Sequence, residues 1–161
     1  IIYDDLTALE FVELLVRANG VPDSRRLALA ALEKYQLTDV KERRLGGFSR
    51  GMRQRAKLAL ATAHSPSILL LDEPLSGTDP LSRQTILDQI REHAAAGGTI
   101  LFSTHVLHEV EALTDRVVLL AGGRLVAMGK TNEIREMLDE HPHQVRIECE
   151  KPRALAAVMV E

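Results

Sequence analysis

Between Leu6 and Leu45 the apolar residues recur at helical spacing, first at Leu9, Val12, Leu15 and Val16 and then at Leu27, Ala30, Ala31 and Leu32. Asn19-Gly20 and Pro22 interrupt the period, so the pattern predicts two amphipathic helices in a small helical unit. Thr7 stands where the first helix begins and Glu10 follows three positions later, the spacing of a capping box. Asp23 or Ser24 can cap the second helix. Arg25, Arg26, Glu33 and Lys34 read as its solvated face.

After Gly46 the pattern alternates. A helical run from Met52 to Ala63 follows Ser49, a good N-cap. Ser67 to Asp72 contains a continuous aliphatic run between Pro66 and Pro74, which suits a strand covered on both faces. Residues 80 to 95 read as a helix, capped by Asp79, opened by Pro80 and closed by Gly97-Gly98. Thr99 to Ser103 predicts a second strand, His105 to Leu113 a helix, and Arg116 to Leu120 a third strand. Strands alternating with helices imply parallel pairing, hence an open α/β sheet. Gly122-Gly123 predicts a hairpin turn into Arg124 to Met128. Beyond Lys130 the pattern gives a helix at Asn132 to Leu138, a strand at Gln144 to Glu150 and a helical start after Pro152. Three zones result: a helical subdomain at 1–45, an α/β portion at 46–129 and a C-terminal extension at 130–161.

Composition narrows the class. The 161 residues are 45% hydrophobic and 27% charged, a globular balance, and the formal charge of −3 gives no field that would draw nucleic acid or anionic lipid. The aliphatic runs near Ile68 and Val117 are far shorter than the roughly 20 residues a membrane span needs. Cys149 is the sole cysteine, so no internal disulfide forms and a reducing interior fits. The chain opens at Ile1 without an initiator Met and is expected to be the latter part of a longer protein.

Ligands of open α/β sheets bind beyond the carboxyl ends of the strands. That rule selects Asp72-Glu73 after one strand and Ser103-Thr104-His105 after the next. An acidic pair at a strand end is often only a solvated turn or cap. The chemical alternative gives Asp72 to Mg²⁺, which prefers carboxylate and water oxygens, and Glu73 to an attacking water. His105 can equally be a cap, or can share a helix face with His108 and Glu109 as a metal cluster. At the helix start, Ser49 caps and Gly51 lets the backbone approach a ligand, so the free N–H groups can grip a phosphate. The plain alternative is a capped helix with Arg53, Arg55 and Lys57 solvated.

These segments resemble the motifs of one family, the nucleotide-binding subunits of ABC transporters. Phe48-Ser49-Arg50-Gly51-Met52 resembles the signature motif, and Ile68 to Pro74 resembles Walker B with its glutamate. Ser76-Gly77-Thr78-Asp79 resembles the D-loop and Ser103-Thr104-His105 the switch-histidine segment, all in matching order. Arg50, Met52 and Thr78 depart from the usual residues at their positions. The Gly-Met-Arg-Gln-Arg form is similar to that of bacterial ABC-2 type exporters. No G-x-x-x-x-G-K-[ST] phosphate loop and no Q-loop glutamine occurs, which fits a chain that starts after them.

The resemblance implies a P-loop NTPase-like (RecA-like) parallel sheet with a helical subdomain, its N-terminal part missing. It implies ATP and Mg²⁺ as ligands, with Asp72 holding the metal through water, Glu73 activating the hydrolytic water and His105 contacting the γ-phosphate. Ser49, Arg50, Gly51 and Met52 would face the nucleotide of a second nucleotide-binding subunit, most simply in a homodimer. Ser76 and Asp79 would cross the dimer interface. A separate transmembrane permease would dock on residues 6–45, placing the protein in the cytoplasm at the inner face of the membrane, with no nucleic acid partner. A non-transport ABC ATPase acting on ribosomes or DNA is the competing reading, and a binding module with a dead site is disfavoured by the presence of Glu73 and His105.

Overall fold

The computed structural model describes residues 3–138, with side chains as far as Ile134. It divides into two units, one up to Thr114 and one from Asp115 onward.

In the first unit α1 (Ala8–Ala18) and α2 (Ser24–Lys34) pack on α3 (Arg50–Thr62). The apolar stripes predicted from periodicity meet in the core, where Val12, Val16 and Leu32 are fully buried and Tyr35 and Leu37 nearly so. Removing one such aliphatic side chain from water contributes about 1.5–3 kcal/mol, enough for a bundle this small to depend on each of them. Thr7 and Glu10 form the capping box, each side chain taking the other's backbone N–H. Asp23 departs from expectation. It occupies the N-cap of α2, but its φ of 58° is left-handed and its side chain makes no cap hydrogen bond. The carboxylate instead lies 3.7 Å from Arg26.

Strand β1 (Ile68–Asp72) pairs in parallel with β2 (Thr99–Ser103), and α4 (Pro80–Ala95) runs between them. Asp79 caps α4 through the Ser82 N–H at 2.9 Å, with Pro80 at the first turn as predicted. Leu69, Leu71 and Ile100 face the helical core. The opposite face does not match the expectation of cover on both sides, since Ile68, Leu70 and Leu101 are 63%, 71% and 63% exposed. Among the described residues of this unit no element lies over it. The short helix α5 (Leu107–Leu113) follows β2, starting two residues later than predicted because Thr104 to Val106 form a loop.

In the second unit β3 (Arg116–Ala121) and β4 (Arg124–Lys130) form an antiparallel hairpin closed by Gly122 and Gly123, whose φ values of 56° and 73° need glycine. Helix α6 (Thr131–Leu138) follows. The third strand was expected in the parallel sheet; among the described residues β3 pairs only with β4. The predicted strand at Gln144 to Glu150, including Cys149, and the helical start after Pro152 lie outside the described residues. No described helix is long and apolar enough to cross a membrane.

Candidate functional site

The parallel register sets Asp72 opposite Ser103 at the carboxyl ends of β1 and β2. Ser103 Oγ donates to Asp72 Oδ1 at 2.5 Å. The Glu73 N–H donates to Ser103, 3.2 Å from its carbonyl and 3.1 Å from its hydroxyl. Glu73 then leaves the strand with φ at 47°, a left-handed conformation that costs an L-residue about 1–2 kcal/mol. That bend sends the two adjacent carboxylates to different partners. Asp72 stays with the serine, while Glu73 Oε1 lies 2.6 Å from His105 Nδ1.

The Glu73–His105 contact is open to solvent, with the imidazole 75% exposed. The hydrogen bond to Glu73, reinforced by the carboxylate charge, holds the imidazole pKa above the ordinary histidine value. The protonated ring donates from Nδ1 to the carboxylate. Asp72 and Ser103 offer hard oxygen donors beside them, a chemistry that fits Mg²⁺ completed by water and phosphate oxygens. The metal cluster of His105, His108 and Glu109 does not form. Glu109 is buried against Arg83 at 3.3 Å and His108 Nε2 lies 3.0 Å from the same guanidinium. Among the described residues no group of three or more metal-ligating side chains gathers.

The start of α3 is built differently. Ser49 is exposed and accepts the Met52 N–H at 3.2 Å. Arg50 is also exposed and lies across the loop after β1, with Nη2 3.4 Å from Ser76 Oγ. Its guanidinium occupies the space beside Gly77, where a Cβ would sit 2.3 Å from Cζ. Gly51 is buried, and a Cβ there would meet Asp79 Oδ2 at 2.5 Å and Ser82 Oγ at 2.7 Å. The missing side chain lets α3 pack closely on the cap of α4. Hydrogen bonding by Ser82 holds the Asp79 carboxyl below its usual range. Met52 is half-buried against the core.

The three basic residues that follow also part company. Arg53 clamps Asp4 at 2.8 Å and the carbonyls of Gly46 and Phe48. Arg55 is buried and donates to the carbonyls of Tyr35 and Gln36 at the end of α2, at 3.0 and 3.2 Å, and burial lowers its pKa. Lys57 stays exposed. Arg50, Arg53 and Lys57 line a cleft of about 560 Å³ together with Glu73 and Ser76.

The structure therefore brings Asp72, Glu73 and His105 together, and sets Arg50 beside Ser76. Sequence reasoning took Ser103 only as part of the Ser103-Thr104-His105 segment and Glu109 only as a metal ligand beside His105, and it passed over Arg83, whose partners Glu109 and His108 lie far along the chain.

A family profile described as ABC transporter matches residues 3–76. The chain is 34% identical over 155 residues to the daunorubicin/doxorubicin resistance ATP-binding protein DrrA of Streptomyces peucetius, covering 95% of this chain and 47% of that protein. It is 35% identical over 139 residues to the ABC transporter ATP-binding protein NatA of Bacillus subtilis, covering 84% and 56%. A solved ATP-binding subunit of an ABC transporter superposes on the whole chain with a TM-score of 0.76 at 28% identity, and 65% of that subunit is covered. The chain thus spans about half the length of the curated relatives it matches. With the mixed α/β fold and parallel strands already described, these matches show that the chain belongs to the ATP-binding proteins of the ABC transporter family.

Proposed function

We propose that the whole protein hydrolyses ATP at the tips of β1 and β2 and works as the engine of an exporter whose membrane-spanning permease is a separate chain. The observation that carries this reading is the 2.6 Å contact between Glu73 and His105 beside the Asp72–Ser103 pair. Glu73 is the general base: its carboxylate takes the proton of the attacking water, held in orientation by the imidazole. Asp72, with Ser103, would hold Mg²⁺, which when bound would neutralise developing charge on the phosphates. His105 reaches the γ-phosphate from its exposed position and reports its loss.

Ser49, Arg50 and the free amides at the start of α3 face the nucleotide of a second copy, with the helix dipole and the guanidinium favouring the anion. Ser76 and Asp79 lie where they can meet that copy, and Gly51 and Met52 serve by seating α3. Residues 6–45 dock the permease, which places the protein on the cytoplasmic side of the membrane, and residues 130–161 form an extension of the ATPase portion. Drug resistance in the name of one relative and the Gly51 to Arg55 pattern support outward transport.

The reading is tested by Glu73→Gln in the complete subunit. ATP binding should stay within about threefold of wild type while turnover falls by at least about a hundredfold, the scale of a lost general base. Near-normal hydrolysis would remove Glu73 from this role.

A further inference from the structure

Glu109 is 4% exposed, yet the reaction as described makes no use of it. A buried carboxylate is destabilising unless its oxygens are paired, and here both are. Oε2 accepts the Thr104 hydroxyl at 2.6 Å and Oε1 lies 3.3 Å from Arg83 Nη2. The same hydroxyl accepts the Val106 N–H at 3.1 Å, and the Glu109 N–H donates to the Val106 carbonyl at 3.0 Å. Thr104, just before His105, is therefore tied to the carboxylate directly, and Val106, just after it, through the Thr104 hydroxyl. Arg83 brings in a further element, because its N–H bonds the Asp79 carbonyl at 2.9 Å in the first turn of α4.

His105 has no such support of its own. Its exposed ring touches Glu73 alone among the described hydrogen-bond partners, so the position of the backbone that carries it decides whether the two side chains meet.

We infer that Glu109 is a positioning residue: clamped by Arg83, it holds the Thr104–Val106 loop so that the imidazole of His105 meets Glu73. The inference rests on the proposed ATPase site and deepens it, by giving the segment at Asp79 and the histidine loop a common anchor in α4. Misplacement of a reacting group by about 1 Å is enough to cost up to about a hundredfold in rate.

The test uses the complete subunit carrying Thr104→Val or Glu109→Ala, each with and without His105→Ala. Thr104→Val nearly preserves shape and leaves all charges in place, so it serves even where Glu109→Ala fails to fold. Each single substitution should lower kcat by about tenfold to a hundredfold and leave KM for ATP within about twofold. Added to His105→Ala, neither should lower kcat further, because both act through a ring that is gone. In NMR titrations the His105 midpoint should fall in Thr104→Val as the ring leaves Glu73. Losses that multiply with that of His105→Ala, or a His105 midpoint unmoved by Thr104→Val, would overturn the inference. Full hydrolysis by His105→Ala alone would instead overturn the proposed site, while the titration would still decide the positioning.

Discussion

The bundle of α1, α2 and α3 and the sheet of β1 and β2 treat their apolar residues in opposite ways. In the bundle Val12, Val16 and Leu32 are wholly removed from water, and helix ends are closed by Thr7, Glu10 and Ser49. In the sheet Ile68, Leu70 and Leu101 remain more than half exposed, and the strand tips are organised by a handful of polar contacts. Stability accordingly resides in the bundle, whereas the geometry for chemistry resides in hydrogen bonds among Asp72, Glu73, Ser103 and His105. The two properties should separate under mutation.

The largest expected effect is on the bundle. Leu32→Ala should lower unfolding free energy by about 2–5 kcal/mol in urea titrations of the subunit, with hydrolysis per folded molecule preserved. A cost below 1 kcal/mol would break the comparison. Gly51→Ala sharpens it, because that position joins the bundle to the cap of α4. Overpacking against Asp79 and Ser82 should cost about 1–3 kcal/mol and, unlike Leu32→Ala, should reduce hydrolysis as the helix start shifts. Thr7→Ala removes only a cap and should cost about 1 kcal/mol in the same titration, leaving activity unchanged.

The smallest effect is a pH slope. The folded-state pKa of His105 is raised by Glu73, so their contact stabilises fully below the ordinary histidine value of about 6.5. That contribution is lost as pH rises through the higher folded value. Denaturation midpoints of wild type against His105→Gln should therefore converge toward alkaline pH; a difference that grows with pH would contradict the assigned pair.

Legibility in the sequence follows the same division. Caps and amphipathic periods are local, so Thr7 with Glu10, Ser49, and Asp79 with Pro80 could be placed from spacing alone. The acidic and histidine tips could be placed because strand ends in α/β sheets are where ligands bind. What could not be read depends on contacts distant in the chain. Arg53 and Arg55 look alike in the run after Gly51, yet one clamps Asp4 and the other ends beneath Tyr35, since two positions apart on a helix point nearly opposite ways. Glu109 looks like a neighbour of His108 and is instead the buried partner of Arg83 and Thr104. The bare face of β1 and β2 was unreadable for a similar reason: four consecutive aliphatics say that cover is wanted, not which residues provide it.

The left-handed backbone at Glu73 carries one last implication. A glycine there would relax the main chain and would be the residue that folding alone prefers. Directed evolution of this protein for heat resistance, without a check on catalysis, would thus be drawn to discard the very acid on which turnover is proposed to depend.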